Sequence, residues 1–166
     1  MKACNKNGFT LTELMMAVLI SSIVLAGAFA VYISGQRSWY ITTLELDTSI
    51  EASQALEKIV YGIGEQYGLR VAESDSVLIG SSNGGWFISY KVPDGITNRF
   101  EYVSSSGIIR YSSNPGAGQW LTIARGVTSS SVAKQGNGIS LSISYAEQRG
   151  NFAASNAVST FVAFRN

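Results

Sequence analysis

The chain has 166 residues, enough for one modest hydrophobic core, and carries 12 Lys and Arg against 11 Asp and Glu. This balance leaves no basic footprint, so no direct nucleic-acid partner is expected. The chain has no histidine and its only cysteine is Cys4. Disulfides within the chain, zinc sites of the usual Cys/His type and His-based catalytic triads are therefore excluded.

The N-terminal region joins a short polar segment to an apolar one. Residues 1–8 are polar and include Lys2 and Lys6, whereas residues 14–34 contain no charge and no proline. A helix rises about 1.5 Å per residue, so residues 14–34 can span a hydrocarbon core of roughly 30 Å. The segment predicts a single membrane helix. Because the lysines precede it, the N-terminus should stay cytoplasmic and the rest of the chain should lie outside the inner membrane.

Glu13 stands where the apolar segment begins. A carboxylate there costs on the order of 2–3 kcal/mol in the membrane unless it is compensated. Cleavage after Gly8 would create an amine on Phe9, four residues before Glu13 on the same helix face. Such an amine is mostly cationic at neutral pH and could pair with this carboxylate or with that of a neighbouring subunit. The alternative interpretation is a carboxylate that is merely favoured by the positive end of the helix dipole.

The run Lys6-Asn7-Gly8-Phe9-Thr10-Leu11-Thr12-Glu13-Leu14 resembles the class III leader of type IV pilins and pseudopilins. The resemblance implies that a membrane aspartyl peptidase cleaves after Gly8 and methylates the new amine of Phe9. It also implies that Glu13 is the assembly glutamate. The implied partners are the prepilin peptidase/methyltransferase, other pilin or pseudopilin subunits through the N-terminal helix, and an inner-membrane assembly platform.

A conventional secretory signal is the competing interpretation of the same region. Lys2 and Lys6, the apolar stretch and the small residues of Ala28-Phe29-Ala30 would also suit such a signal. In that case the mature protein would be a secreted β-rich binding domain that begins at about Val31. Glu13 argues against this alternative, because it interrupts the start of the apolar core.

Helical periodicity continues beyond the apolar segment. Apolar or small residues recur every three or four positions, and charged residues occupy the other faces. The predicted stripe consists of Ile41, Leu44, Thr48, Ala52, Leu56, Ile59 and Ile63. One helix is therefore expected from about Phe9 to Gly64, ended by Gly62, Gly64 and Gly68.

From about Val77 the period changes to two, which predicts strands. The expected strands are Trp86 to Val92, Phe100 to Ser104, Ile108 to Tyr111, Trp120 to Ala124, Ile139 to Tyr145 and Val158 to Phe164. A turn is expected at Pro93-Asp94-Gly95, a flexible turn at residues 128–131 and a polar loop at residues 147–156. The face of Ile139, Leu141, Ile143 and Tyr145 should pack on the helix stripe.

The sequence thus predicts an α+β protein, and the resemblance implies the pilin fold, a long N-terminal helix packed on a C-terminal antiparallel sheet. The expected layout is a leader at residues 1–8, a transmembrane and assembly helix at 9–36, an amphipathic continuation at 37–66 and a sheet domain at 67–166. The C-terminal half also resembles minor pilins of the PilW and J-type pseudopilin group, on Phe100-x-Tyr102, Gly107-Ile108-Ile109-Arg110-Tyr111 and Trp120-Leu121. A minor subunit of a type IV pilus or type II secretion pseudopilus is expected.

The sequence supports a catalytic or ligand-binding site less strongly than it supports a structural subunit. Glu73 with Asp75, and Asp94 with Glu101, could be paired carboxylates or calcium ligands, but nearby acids are common on solvated surface. The tryptophans Trp86 and Trp120 could bind a sugar, although aromatic residues in strands belong more often to the core. No catalytic residue, metal ligand or cofactor is therefore expected, and the protein is not expected to be an enzyme.

Overall fold

A computed structural model of the chain describes residues 9–64 and 67–164. The chain divides into two compact units, residues 1–40 and residues 41–166. Helix α1, Leu11–Tyr61, runs from the first unit into the second. It is slightly shorter at both ends than the expected helix from Phe9 to Gly64, because Thr10 caps its start and Gly62 ends it.

Gly62 ends α1 in the way that the glycine pattern predicts. Its φ is 95°, and its N–H donates to the carbonyl of Lys58 at 2.9 Å. Glycine adopts this left-handed conformation without the cost that a side chain imposes. Gly68 has a different role, because its backbone is extended. A Cβ there would collide with the backbone of Val60, Tyr61 and Gly62, so Gly68 lets the chain pass close to the end of the helix.

The second unit contains eight strands in the described residues. They are β1 (Leu78–Ser82), β2 (Gly85–Lys91), β3 (Thr97–Val103), β4 (Ile108–Ser112), β5 (Leu121–Ala124), β6 (Val127–Gln135), β7 (Gly138–Arg149) and β8 (Phe152–Ala163). All neighbouring pairs are antiparallel. The strands form two sheets, β1-β2-β3-β4-β5 and β6-β7-β8, rather than the single sheet that was expected.

One hydrophobic core joins the second half of α1 to both sheets. From the helix it contains Ala52, Ala55, Leu56 and Ile59, with Ile63 partly buried against it. Ile139, Leu141 and Ile143 of β7 are fully buried in the same cluster. Both sheets contribute alternate residues, as a pleated sheet with one buried face requires. The predicted packing of β7 against the helix stripe is confirmed, and so is the α+β architecture.

Two segments predicted as loops are strands. Residues 128–131 lie in β6, where the side chains of Ser129 and Ser131 face solvent while the ladder with β7 holds the backbone. The expected loop at residues 147–156 is the end of β7 and the start of β8, joined by a turn at Gly150. Both predictions were wrong for one reason. A strand whose side chains face solvent can be as polar as a loop, so polar composition does not distinguish the two.

Candidate functional site

The first turn of α1 is capped by Thr10. The N–H of Glu13 donates to the Thr10 carbonyl at 3.1 Å and to Thr10 Oγ1 at 3.3 Å. These bonds satisfy a helix donor that otherwise has no partner within the helix. The sequence Thr10-x-x-Glu13 matches the capping-box pattern, a signal from which this helix start could have been predicted.

The helix that follows is exposed along the whole first unit. Every residue from 9 to 40 is exposed, including Phe9, Leu11 and the large aliphatic side chains of residues 14–34. By length and composition, α1 is the one helix of the described residues that could cross a membrane. An apolar surface of this extent is stable only in lipid or against other apolar helices.

The predicted site residues lie around this helix start. Gly8 falls outside the described residues. Phe9 and Glu13 are described, and both are exposed, with Glu13 in the first turn of α1. In the full-length chain the Phe9 nitrogen is still the amide that joins it to Gly8. The ion pair between a Phe9 amine and Glu13 therefore stays a prediction about the cleaved protein.

Glu101 is the most deeply buried charged side chain of the described residues. It is 2% exposed and lies opposite Arg110 in the β3–β4 ladder. Arg110 donates to Glu101 Oε2 from Nε at 2.9 Å and from Nη2 at 2.7 Å. Arg99 lies 3.4 Å from Oε1, and Asn83 donates to the same oxygen at 3.0 Å. Both oxygens are thus held by positive or neutral donors.

The electrostatics of Glu101 follow from these contacts. Burial acts to raise the pKa of its carboxyl, but hydrogen bonds from Ser82 and Arg110 and the charges of Arg110 and Arg99 outweigh burial. The pKa therefore lies below its ordinary value, and Glu101 is ionised at neutral pH. A carboxylate in this setting neither takes up nor releases a proton near neutrality, which general acid–base catalysis would require.

The two arginines beside Glu101 also cover aromatic rings. The Arg99 guanidinium lies 4.0 Å from the centroid of Phe87, and that of Arg110 lies 4.2 Å from the Trp120 ring. Trp120, a candidate sugar platform, thus already has a cation over its ring. Trp86 is 6% exposed and belongs to the core, in line with the alternative that the sequence favoured.

The other candidate carboxylates are spread over the surface. Asp94 lies in the turn after β2, and both Glu73 and Asp75 are exposed at a short 3-10 turn. Among residues 9–64 and 67–164, no three His, Cys, Asp or Glu side chains come together in a way that could hold a metal ion. A groove of about 380 Å³ beside Asp47, Glu51 and Glu147 contains Arg149. Arg149 lies 2.8 Å from Glu147 and 3.8 Å from Asp47, so these two of the three acids already have a cation.

Comparison with protein families gives a match to the N-terminal part of the chain. The family model described as the prokaryotic N-terminal methylation motif matches residues 4–29. Comparison with curated proteins gives no match, and neither does comparison with solved structures. The matched segment includes residues 4–8 of the polar start, the capped turn of Thr10 and Glu13, and most of the apolar segment. The chain therefore carries a prepilin-type N-terminus, followed by an apolar helix that fits a membrane-anchored, pilin-like subunit.

Proposed function

We propose that this protein is a structural subunit, of the minor class, in a type IV pilus or a type II secretion pseudopilus. The observation that carries the proposal is that the methylation motif at residues 4–29 coincides with an apolar helical segment that is exposed throughout residues 9–40, in a chain whose β strands belong to a second compact unit. The motif supports processing at the membrane. The exposed helix supplies a surface that needs apolar neighbours, which an assembly of such helices provides.

The proposed layout follows the sequence prediction. Residues 1–8 form the leader, residues 9–36 the membrane and assembly helix, residues 37–66 its amphipathic continuation and residues 67–166 the sheet domain. The peptidase/methyltransferase cleaves between Gly8 and Phe9 and methylates Phe9. The N-terminus is cytoplasmic, and the domain lies outside the inner membrane until the assembly platform adds the subunit to a fibre.

Glu13 is proposed to set the register of assembly. In the cleaved protein the Phe9 amine would lie four residues before Glu13, next to the capped first turn of α1. The amine can neutralise the carboxylate of its own chain or that of the adjoining subunit. Because an unpaired charge inside an apolar bundle is costly, the pair fixes how far one helix slides along the next. Capping by Thr10 keeps the first turn helical, so that Glu13 is held close to the residue that precedes the cap.

Assignment to the minor class rests on the sheet domain. Strands β3, β4 and β5 contain the Phe100-x-Tyr102, Ile108 to Tyr111 and Leu121 segments that resemble the PilW and J-type group. The apolar helix has no proline, and the chain has no cysteine pair near its C-terminus. Principal pilins often have both features.

The test compares Glu13→Ala with Glu45→Ala. Both variants remove a carboxylate that is exposed on α1, but Glu45 lies beyond the apolar segment. Membrane insertion and cleavage should survive in both. The fraction of mature protein recovered in sheared fibres should fall severalfold for Glu13→Ala alone. Equal recovery for the wild type and both variants would show that Glu13 does not direct assembly.

A further inference from the structure

Strand β8 is a long open edge of the three-stranded sheet. It covers Phe152–Ala163 and, among the described strands, is hydrogen-bonded only to β7, in an uninterrupted register. At about 3.4 Å per residue it extends for roughly 40 Å. It contains no charged residue and no proline. Edge strands usually carry such features because they prevent pairing with other chains.

The other described edges are protected in these ways. Strands β1 and β5, which border the five-stranded sheet, have 5 and 4 residues. Strand β6 carries Lys134 and has a register shift between Val127 and Ser129. Among the described strands, β8 is therefore the edge that is long, regular and uncharged.

The hydrogen-bond pattern shows which groups of β8 point outward. The N–H of Phe164 donates to the carbonyl of Asn137 at 2.9 Å, in register with the β7–β8 ladder. Because bonded pairs alternate in an antiparallel ladder, the even-numbered residues of β8 point their backbone groups toward β7. The odd-numbered residues point theirs away from it. All six of these are exposed: Ala153, Ser155, Ala157, Ser159, Phe161 and Ala163.

We propose that β8 pairs antiparallel with β8 of a second copy of this chain. In the register that centres on Val158, Ala157 lies opposite Ser159, and Ser155 lies opposite Phe161. Each outward residue then meets an outward residue of the copy, which gives about twelve backbone hydrogen bonds. No charge is placed against a like charge or buried without a partner, because both strands are neutral.

The described alternatives fit this edge less well than a second β8. The other edge strands are too short, or charged and bulged, to match twelve residues of regular ladder. A neutral edge also offers nothing to select a charged peptide. Most of the odd-numbered residues of β8 have small side chains, which leave space for the side chains of an incoming strand. The single large one, Phe161, lies against Gly138 of β7.

Cysteine cross-linking of the full chain in isolated membranes tests the pairing. Cys4, the only cysteine, is replaced by Ser in every variant. Differently tagged Ala157→Cys and Ser159→Cys chains are co-expressed and mildly oxidised. In the proposed register these two positions face each other with Cα atoms about 5.5 Å apart, within disulfide reach. Two copies of Ala157 are about 8–9 Å apart, which is too far.

The mixed sample should therefore give at least tenfold more cross-linked dimer than either variant alone. A second pair, Ala153→Cys with Ala163→Cys, should also cross-link. Adding Ser159→Pro to both chains should abolish that product, because proline removes an outward donor and leaves the ladder with β7 intact. Ser159→Ala is the matched control and should leave the yield unchanged.

Equal yields in the mixed and single samples, or no dimer in any sample, would overturn the proposal. Cross-linking only to a different membrane protein would also overturn it, in favour of pairing between unlike subunits. The readout precedes fibre formation and does not depend on cleavage at Gly8. Failure of this proposal and failure of the proposed function are therefore distinguishable.

Discussion

At the scale of single residues, the ion pairs of Glu101 with Arg99 and Arg110, here called the Glu101 cluster, stabilise the five-stranded sheet. Glu101 is buried between Arg99 and Arg110, which are themselves stacked on Phe87 and Trp120. Removing one partner of a buried ion pair leaves the other charge without compensation, which costs more than the pair itself contributes. The cluster therefore acts as a structural element of the sheet.

Glu101→Gln should destabilise the folded domain by roughly 2–5 kcal/mol, because both arginines lose their counter-charge. Chemical unfolding of the full chain in detergent, followed by tryptophan fluorescence, measures the change. Glu73→Gln makes the same substitution at an exposed carboxylate and should change the unfolding free energy by less than about 0.5 kcal/mol. If the two variants unfolded alike, Glu101 would not stabilise the sheet.

Acid adds a second readout for Glu101. Its pKa is lowered in the folded state, so its contribution to stability is present above the ordinary carboxyl pKa. That contribution is lost as the pH falls through the folded value. The wild type should therefore lose more stability than Glu101→Gln between neutral pH and about pH 3.

At the scale of elements, the second half of α1 and strand β7 hold the domain together. Ile143 is fully buried in the cluster that contains Leu56 and Ile59. Alternate residues of β7 reach this core while the intervening serines face outward, so β7 needs the helix to cover its apolar face.

Ile143→Ala should cost about 2–5 kcal/mol, since the deleted atoms leave a cavity in a closely packed core. Thermal unfolding monitored by near-UV circular dichroism should show a lower midpoint. Ile96→Ala is the matched control, because Ile96 is 50% exposed and its truncation leaves no cavity. An unchanged midpoint for Ile143→Ala would place its side chain outside the core.

Elements with strong periodicity could be predicted from the sequence, and weakly patterned ones could not. Burial of one face leaves a periodic order of apolar residues in the sequence. This order is visible in the helix stripe through Leu44 and Leu56 and in the alternation of Trp86, Ile88 and Tyr90. Strand β6 and the joined ends of β7 and β8 are polar on their exposed faces. They are recognisable as strands only from their backbone pairing with neighbouring strands. The division into two sheets and the pairing of Glu101 with Arg110 depend on strand register, which a single sequence does not contain.

At the scale of the whole molecule, buried tyrosines link stability to alkaline pH. Burial and the charge of Glu51 raise the pKa of Tyr145 to about 12. Burial first, and then the neighbouring Tyr111, raise the pKa of Tyr90 well above its ordinary value. In the unfolded chain these phenols ionise near pH 10, so their contribution to stability is constant below that pH and is lost as the pH rises from there through the folded values.

The unfolding free energy should therefore decline steadily between about pH 10 and pH 12. Tyr145→Phe should flatten this decline, because the variant has one phenol fewer to ionise on unfolding. Tyr61→Phe, at a residue that is 61% exposed, should leave the slope unchanged. Identical pH profiles for Tyr145→Phe and the wild type would exclude a role for Tyr145 in this linkage.

The prepilin-type motif and the apolar helix fit a membrane-anchored, pilin-like subunit. The N-terminal motif could be recognised from the sequence because a glycine, an aromatic residue, a glutamate and a membrane-length helix coincide within residues 8–34. The capping bonds from Glu13 to Thr10 add the local reason why the helix begins where it does. Cleavage at Gly8 is the event on which the proposed function depends.

The most direct test of that cleavage is the intact mass and N-terminal sequence of the mature protein, purified from membranes. The proposed function predicts a chain that begins at Phe9 and carries one additional methyl group. Gly8→Val should retain the full leader, because the side chain obstructs cleavage. A mature wild-type chain that begins at about Val31, without a methyl group, would contradict the account and would indicate a secreted domain released from a conventional signal.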